Sequence, residues 1–274
     1  MSGRGRVSAL LPHRRALVTG ASSGIGAATA RRLAVAGYRV ALLARRQEAL
    51  EEVRASLHGT GHLVLAADLT DTSQVARALE GLASAWGGGL ELLVNNAGMG
   101  YRARVEELEE ATLRQVFETN VLAPLLLARD ALPLLRQGDS PVVVNVASVV
   151  GRRGIPGQSA YAASKAAMCS MGEALRIEWA EEDIAVCTLC PALTATGFFD
   201  AQPNPSGLED PDLSSADPAE SVAEEVLALS YEPHPERTLR WKWRLLGALT
   251  PFAPRLADRL LVRRLGGGWT VPRR

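Results

Sequence analysis

The chain has no excess of charge of either sign, because 30 Lys and Arg balance 30 Asp and Glu among its 274 residues. This balance gives no whole-molecule attraction to nucleic acid, so no nucleic-acid partner is expected. Cysteine is scarce and odd in number, with Cys169, Cys187 and Cys190 only. Such a set argues against a disulfide framework and favours a reducing, cytoplasmic location.

Long apolar runs are also missing. The longest uncharged apolar stretch near the C-terminus, Leu245 to Ala253, is too short to span a bilayer. The N-terminal segment 1–14 carries several arginines and no apolar core of a signal peptide. No metal site is predicted either: Cys187 and Cys190 form a C-x-x-C without a second ligand pair nearby, and residues three apart on a strand point to opposite faces. We interpret them as core cysteines.

Apolar strand-like runs alternate with helical segments along most of the chain. This alternation predicts an α/β fold of the Rossmann type, a doubly wound parallel sheet with helices on both faces. The predicted strands are 15–19, 39–44, 62–67, 90–94, 142–147 and 184–190. We predict one catalytic domain, 15–234, in which the Pro-, Asp- and Ser-rich segment 194–217 is a mobile loop over the site. Residues 235–274 form a basic amphipathic C-terminal extension.

The first strand runs directly into a glycine-rich turn and then a helix. Glycines let a backbone approach a pyrophosphate closely, and a helix N-terminus offers free N–H groups. The alternative is a tight turn that binds nothing. The context of strand, turn and helix favours a dinucleotide site. Its predicted contacts are Gly20, Ser22, Ser23, Gly24, Ile25 and Gly26.

The second strand ends in Ala44, Arg45 and Arg46. An acidic residue at this place would hold the ribose hydroxyls of NAD, whereas arginine suits a phosphate. NADP(H) is therefore preferred over NAD(H), with a solvated helix start as the alternative role for the arginines. The third strand ends at Asp68 and Leu69, where the carboxylate could accept from an adenine amino group or cap the following helix.

Two further strand ends carry polar or small residues. The fourth strand ends in Asn95, Asn96, Ala97 and Gly98, where an Asn could tie neighbouring strand ends together and small residues leave room for a ribose. After the fifth strand comes Ser148, at the sheet edge where open α/β sheets bind ligands. Tyr161 and Lys165 stand four apart on the next predicted helix and so share one face. A hydroxyl, a phenol and an ammonium converge there, which is enough for proton transfer.

A long helix is predicted over 112–136, with a kink at Pro124 and an end at Pro133. Asn120 interrupts the apolar face of this helix. Taken alone, a buried Asn near a kink is better explained as a structural residue that satisfies backbone groups.

These motifs together resemble the short-chain dehydrogenase/reductase family, in its compact single-domain branch, over about Arg15 to Ser230. The resemblance rests on the Thr-Gly-x-x-x-Gly-x-Gly turn, Asn-Asn-Ala-Gly, a lone Asn, a Ser and Tyr-x-x-x-Lys: Thr19, Gly20, Gly24, Gly26, Asn95, Asn96, Ala97, Gly98, Asn120, Ser148, Tyr161 and Lys165. It implies an NADP(H)-dependent oxidoreductase that interconverts a carbonyl and a secondary alcohol.

The resemblance also assigns roles. Tyr161 would be the general acid or base, and Lys165 would supply positive charge and bind the nicotinamide ribose. Ser148 would hold the substrate oxygen, and Asn120 would hold a water in a proton relay. The resemblance implies that Tyr161 and Lys165 also contact the cofactor. It adds three cofactor contacts after the sixth strand, Pro191, Thr194 and Thr196.

One position departs from the family pattern, because Ala192 follows Pro191 where the family has Gly. If the backbone needs a positive φ there, Ala192 would be strained by roughly 1 kcal/mol.

The extension is the least familiar part, with ten Lys and Arg against Glu236 and Asp258. Pro251 and Pro254 predict two short helices. A basic amphipathic helix with Trp can lie at a membrane surface, but packing over the substrate pocket or a subunit interface is favoured. The expected partners are an apolar small molecule and further copies in a homo-dimer or homo-tetramer. The residues predicted to line the substrate site are Met99, Tyr101, Val150, Ile155 and Phe198.

Three alternatives stay open. A non-catalytic dinucleotide-binding sensor or scaffold would share the fold, although it predicts erosion of Tyr161 or Lys165. In the second alternative the chain is a dehydrogenase that prefers NAD(H), and Arg45 and Arg46 are solvated residues at the start of a helix. A sugar-nucleotide epimerase or dehydratase would usually space its glycine turn differently.

Overall fold

The computed structural model describes residues 14–265 and 269–271. Its strands are β1 (Arg15–Thr19), β2 (Arg39–Ala44), β3 (Leu63–Ala66), β4 (Leu92–Asn95), β5 (Val142–Val146), β6 (Ala185–Cys190), β7 (Thr194–Ala195), β8 (Asp217–Pro218) and β9 (Glu236–Thr238). Seven of them form one parallel sheet in the order β3-β2-β1-β4-β5-β6-β9, and β7 pairs with β8 separately. The predicted segment 1–14 lies, apart from Arg14, outside the described residues.

The central strands are buried on both faces, as expected for a parallel sheet covered by helices. All five residues of β5 are buried. Val142 and Val144 contribute to the core on one face, and Val143 contributes to the core on the other. The continuous apolar runs in the sequence therefore reflect burial on both sides of the sheet.

Helices cover both faces and complete the layered fold. They are α1 (Gly24–Val35), α2 (Gln47–Ala55), α3 (Thr72–Trp86), α4 (Glu110–Phe117), α5 (Ala123–Leu135), α6 (Ser159–Glu178), α7 (Ala219–Tyr231), α8 (Trp241–Leu249) and α9 (Pro254–Leu265). Leu33 of α1 and Val226 of α7 pack on one face, whereas Leu82 of α3 and Leu127 of α5 pack on the other. The predicted Rossmann-type, doubly wound α/β fold is confirmed.

The seventh strand, β9, is a feature that the sequence pattern did not predict. It pairs with β6 through Thr188 and Glu236 and closes the sheet edge. Its three residues are all half-buried and two of them are charged, so they show no apolar alternation. The first residues of the segment 235–274 therefore belong to the sheet.

The predicted helix 112–136 is divided into two helices by a π-helical turn, Glu118–Leu122. The cause lies in Pro124, because proline has no N–H to donate to the carbonyl of Asn120 four residues earlier. Pro133 does not end the helix as expected, since α5 continues through it to Leu135.

The two helices expected in the extension are present. Helix α8 ends at Leu249 and α9 begins at Pro254, so the prolines separate them as predicted. Among the described residues, no helix is both long enough and apolar enough to cross a bilayer.

Candidate active site

The strand order reverses between β1 and β4, and polar groups tie these two strand ends together. The Thr19 hydroxyl donates to the carbonyl of Val94 at 3.1 Å and accepts from the N–H groups of Asn96 and Ala97, both at 3.0 Å. The Asn96 amide donates to the Thr19 carbonyl at 2.9 Å. The crevice at this reversal is where open α/β sheets bind ligands. Thr19 was missed as a site residue, although a hydroxyl just before the first glycine of the turn was a usable signal.

The glycine turn closes on itself too tightly for side chains. Gly20 and Gly24 have φ of +64° and +53°. A Cβ on Gly20 would lie 2.9 Å from the backbone of Ala97, and a Cβ on Gly26 would overlap the Gly20 carbonyl. The glycines therefore let the turn, the start of α1 and the end of β4 pack against one another without a Cβ clash.

The start of α1 has the groups that a diphosphate needs. Ser23 is the N-cap residue, and its side chain makes no capping hydrogen bond. The first N–H groups of the helix thus lack a side-chain partner in the described structure and can serve an anion. Ile25 is partly buried against the core, so its backbone is the part that can serve a phosphate.

Arg45 and Arg46 stand beside this turn at the end of β2, and both are exposed. Arg46 donates to the Ser22 hydroxyl at 3.2 Å. Arg45 lines a cleft of about 240 Å³ that lies between the ends of β2 and β3 and the start of the π turn. Cationic and hydroxyl groups so arranged fit a phosphorylated ribose. The other residues that line the cleft are Asp68, Thr70, Arg114, Gln115, Glu118 and Thr119.

Asp68 does not cap the helix that follows it. Its carboxylate accepts from the N–H and the hydroxyl of Thr70, at 2.9 Å and 2.8 Å. Asp71 is the N-cap of α3, where it accepts from the N–H groups of Ser73 and Gln74. The capping alternative for Asp68 was therefore wrong, and its carboxylate stays at the rim of the cleft. The Leu69 side chain packs against the core.

Tyr161 and Lys165 lie in the first two turns of α6, beside the end of β5. The Lys165 ammonium is buried, donates to the carbonyl of Val146 at 2.9 Å and lies 5.9 Å from the centre of the Tyr161 ring. Ser148 follows β5, and its hydroxyl accepts from the N–H of Val150 at 3.3 Å. The structure thus brings the phenol, the ammonium and the hydroxyl together, as the spacing predicted.

Burial changes the pKa values of both Tyr161 and Lys165. It raises the pKa of the Tyr161 phenol above its ordinary value, and a hydrogen bond with Ser148 acts in the opposite direction. Burial lowers the pKa of Lys165 to about 8, partly offset by the neighbouring Cys169 and Cys190. The phenol is therefore protonated at neutral pH and suited to donate a proton.

Asn120 lies buried in the π turn and faces the same site. Its side-chain oxygen accepts from the N–H of Met99 at 2.7 Å, and its amide donates to the Met99 carbonyl and the Ser164 hydroxyl, both at 2.9 Å. A Cβ on Gly98 would lie 3.2 Å from the Asn120 oxygen and 3.4 Å from the Lys165 ammonium. Gly98 therefore leaves a space that both side chains border.

The segment after β6 returns to the glycine turn. The backbone of Ala192 is not in the left-handed region, so the strain expected there does not arise. The Thr194 hydroxyl donates to the Ala192 carbonyl at 3.1 Å, next to Pro191. Thr196 stands over the turn, 3.3 Å from a Cβ placed on Gly24. Thr194 and Thr196 thus flank the crevice from its second side.

The segment 194–217 contacts Tyr161, one of the residues predicted to be catalytic. The Phe198 ring centre is 5.7 Å from that of Tyr161. The guanidinium of the mostly buried Arg102 donates to the Asp210 carboxylate at 2.7 Å. The backbone N–H of Arg102 donates to the carbonyl of Pro203 at 3.0 Å. Pairing of β7 with β8 joins the two ends of the segment.

An apolar cluster borders Tyr161 on the side of the extension. Val150, Ile155 and Ala192 pack there together with Trp243 from α8. Val150, Ile155 and Phe198 were expected to line the substrate space, and the structure brings all three close to Tyr161. The extension was expected to pack over the substrate pocket or a subunit interface, and Trp243 of α8 does pack in this cluster, although the sequence did not single out that residue.

Two residues of the predicted lining have other surroundings. Tyr101 is fully buried, and its hydroxyl accepts from the N–H of Glu109 at 2.8 Å, so it is a packing residue. Met99 packs in the same small cluster and bonds Asn120 through its backbone.

Known proteins share this arrangement. The family model described as short chain dehydrogenase matches residues 14–205. An uncharacterized oxidoreductase of Mycobacterium tuberculosis is 34% identical over 249 residues, covering 89% of this chain and 95% of that protein.

Two solved structures have the same fold. A 3-ketoacyl-(acyl-carrier-protein) reductase from Brucella melitensis, complexed with NADH, has a TM-score of 0.74 at 28% identity and covers 82% of this chain and 96% of its own. An alcohol dehydrogenase from the archaeon Thermococcus sibiricus, complexed with 5-hydroxy-NADP, has a TM-score of 0.72 at 27% identity and covers 83% and 96%.

The sheet order, the glycine turn and the Tyr–Lys pair at its edge define a Rossmann-type oxidoreductase. With the family model matched over most of the catalytic domain, the chain belongs to the short-chain dehydrogenase family.

Proposed function

We propose that this protein interconverts a carbonyl and a secondary alcohol on a fairly apolar small molecule, using NADP(H) in preference to NAD(H). The observation that carries the proposal is the convergence of Ser148, Tyr161 and Lys165 at the end of β5, next to the glycine turn. Both structural relatives are named for reactions between carbonyls and alcohols, which supports the reaction class.

In the reductive direction, Tyr161 donates a proton to the carbonyl oxygen. Its raised pKa keeps the phenol protonated until the substrate oxygen gains charge. Ser148 donates a hydrogen bond to the same oxygen, and the Lys165 ammonium stabilises the phenolate that remains. The nicotinamide supplies the hydride when it is bound. Asn120 borders the space beside Lys165 and holds a water there, through which a proton returns to the site.

The residues of the crevice fit a dinucleotide. The N–H groups at the start of α1 bind the pyrophosphate, and the glycines at positions 20 and 26 let the turn pack closely against the end of β4 beside it. Asn96, Ala97 and Gly98 border the ribose, and Thr196 covers the turn from the opposite side. Asp68 and Leu69 border the adenine.

The preference for NADP(H) rests on Arg45 and Arg46, which offer guanidinium groups where an acidic residue would favour NAD. The relatives bind cofactors of both types, NADH in one and an NADP derivative in the other, so the local residues decide. Arg46 already bonds Ser22, and together they form a donor set for a 2′-phosphate.

Fluorescence titration with NADPH and NADH tests this preference. Loss of a charge-assisted hydrogen bond costs about 2 kcal/mol, so Arg45→Ala and Arg46→Ala should each weaken NADPH binding roughly thirtyfold and leave NADH binding nearly unchanged. Arg77→Ala, on the exposed face of α3, is the matched control. Equal loss for both cofactors, or tighter binding of NADH by the unaltered chain, would refute the phosphate assignment.

The substrate class follows from the side chains around Tyr161, where Phe198, Val150, Ile155 and Trp243 present apolar surface. The segment 194–217 is the loop that admits the substrate and then excludes water. Oxidation of NADPH with a panel of cyclic, aryl and short polar ketones should show turnover that increases with apolar area. A preference for small charged ketones would contradict this assignment.

A cytoplasmic location is part of the proposal. It is supported by the scarcity of cysteine and by the burial of all three thiols as free cysteines.

A further inference from the structure

Helices α8 and α9 and the turn between them carry large apolar side chains that are exposed to solvent. Phe252 is 89% exposed and Trp241 is 63% exposed. Leu245, Leu256 and Leu260 are exposed as well. We call these five residues the apolar face. Trp241 and Leu245 are four apart on α8 and Leu256 and Leu260 are four apart on α9, so each pair shares one side of its helix, and Phe252 lies in the turn between them.

The opposite side of the two helices is fixed to the catalytic domain. Ala257 and Leu261 are buried, and Trp243 packs in the cluster beside Tyr161. Asp258 forms an ion pair with Arg153, five residues after Ser148 in the catalytic domain. Because the inner side is held in this way, the apolar face is exposed in the folded protein itself.

Basic residues surround the apolar face. Lys242, Arg244, Arg255, Arg259 and Arg263 are exposed. None of the five forms an ion pair with a carboxylate within residues 14–265 and 269–271. The one acidic residue of α8 and α9, Asp258, is already engaged with Arg153. The surface is therefore apolar at its centre and strongly positive at its rim.

We propose that α8 and α9 dock on the surface of an anionic lipid bilayer. Apolar side chains of a basic amphipathic helix enter the boundary between headgroups and acyl chains, and the cations pair with lipid phosphates and carboxylates. A second copy of this chain fits the face less well, because two such rims would bring about ten like charges together at one interface. Charge complementarity thus selects the anionic membrane.

Docking would also orient the catalytic crevice. Trp243 belongs to α8 and to the apolar cluster beside Tyr161, so the mouth of the substrate space lies close to the docking surface. An apolar substrate could then pass from the bilayer to Tyr161 without crossing bulk water. This consequence rests on the proposed function, whereas the docking itself does not.

Flotation of the full chain with lipid vesicles tests the proposal. Vesicles of phosphatidylcholine alone are compared with vesicles of equal parts phosphatidylcholine and phosphatidylserine. We expect binding to the anionic vesicles that weakens as salt is added, and much weaker binding to the neutral ones.

Two substitutions separate the apolar and the ionic contributions. Phe252→Ser should lower the partition coefficient about tenfold on anionic vesicles, because the ring no longer enters the interface. Arg259→Ser should lower it about fivefold, and only on anionic vesicles. The controls are Ile177→Ser, at an apolar residue of α6 that is 74% exposed, and Arg77→Ser, which removes one exposed charge from α3. Both controls should bind like the unaltered chain.

The proposal fails if the unaltered chain does not float with anionic vesicles while it still binds NADPH. It also fails if Arg77→Ser weakens binding as much as Arg259→Ser, since binding would then reflect general positive charge. Sedimentation equilibrium tests whether a second copy of this chain binds the apolar face instead. Self-association that Phe252→Ser abolishes, without vesicle binding, would assign the face to a second copy.

Discussion

Because the ammonium of Lys165 is buried, we predict that the free energy of unfolding depends on pH in a measurable way. Burial lowers the pKa of this group from 10.5 to about 8 in the folded protein. Between these two values the unfolded chain binds more protons than the folded one, so the free energy of unfolding contributed by Lys165 rises with pH. At 1.36 kcal/mol for each pKa unit, the rise amounts to about 3 kcal/mol. The side chain is almost wholly inaccessible, so solvent screening takes little from this figure.

Replacement of Lys165 by Met removes the titrating group and keeps most of its length. We expect the stability of the unaltered chain, relative to Lys165→Met, to increase by about 3 kcal/mol between pH 8 and pH 10.5. The assay is urea unfolding of the cofactor-free proteins at a series of pH values. The raised pKa of Tyr161 has the opposite effect on stability above pH 10, but it is present in both proteins and largely cancels.

The chain offers a matched control in Lys242, an exposed lysine of α8. Lys242→Met should follow the unaltered chain at every pH. If Lys165→Met also follows it, the ammonium is solvated in the folded protein and the description of the site is wrong. A relative stability that falls as pH rises would mean that a carboxylate or thiolate holds the lysine charged.

Three further substitutions, with Gly81→Ala as a control, test the crevice and its cover. Gly26→Ala should lower stability by about 2 kcal/mol in urea unfolding and weaken cofactor binding, whereas Gly81→Ala, with open space at its Cβ, should stabilise by about 1 kcal/mol. Asn120→Ala should cost about 3 kcal/mol in the same assay, since it leaves buried backbone and hydroxyl groups unpaired; a cost below 1 kcal/mol would contradict these bonds. Phe198→Ala should raise KM for an apolar ketone about tenfold with a smaller change in kcat, because the ring beside Tyr161 is lost.

The parts of the site that sequence could predict are those fixed by local geometry. Tyr161 and Lys165 share a helix face because four residues make about one turn, and Ser148 follows a strand that is recognisable from its valines. The glycine turn is recognisable because its motif lies within a stretch of seven residues, although Ala97 and Thr196, which pack against it, are distant in sequence. Strand ends then meet at one edge because the sheet is parallel.

The parts that sequence could not predict depend on distant neighbours. Strand β9 has two charged residues among three and forms because β6 offers an open edge. In the sequence, Asp68 and Asp71 are equally plausible N-cap residues for the helix that follows. The choice depends on where that helix begins, and α3 begins at Thr72, so Asp71 is the N-cap. A backbone like that at Ala192 is set by the surrounding fold, so the family's glycine suggested a strain that is absent.

The central claim is that Tyr161 transfers the proton in a carbonyl reduction, and turnover by Tyr161→Phe tests it most directly. NADPH oxidation with an apolar ketone is measured beside NADPH binding for this variant and for the unaltered chain. We expect the substitution to lower kcat at least about a hundredfold while the Kd for NADPH changes little. Unchanged turnover, or the loss of binding and turnover together, would contradict the role assigned to this residue.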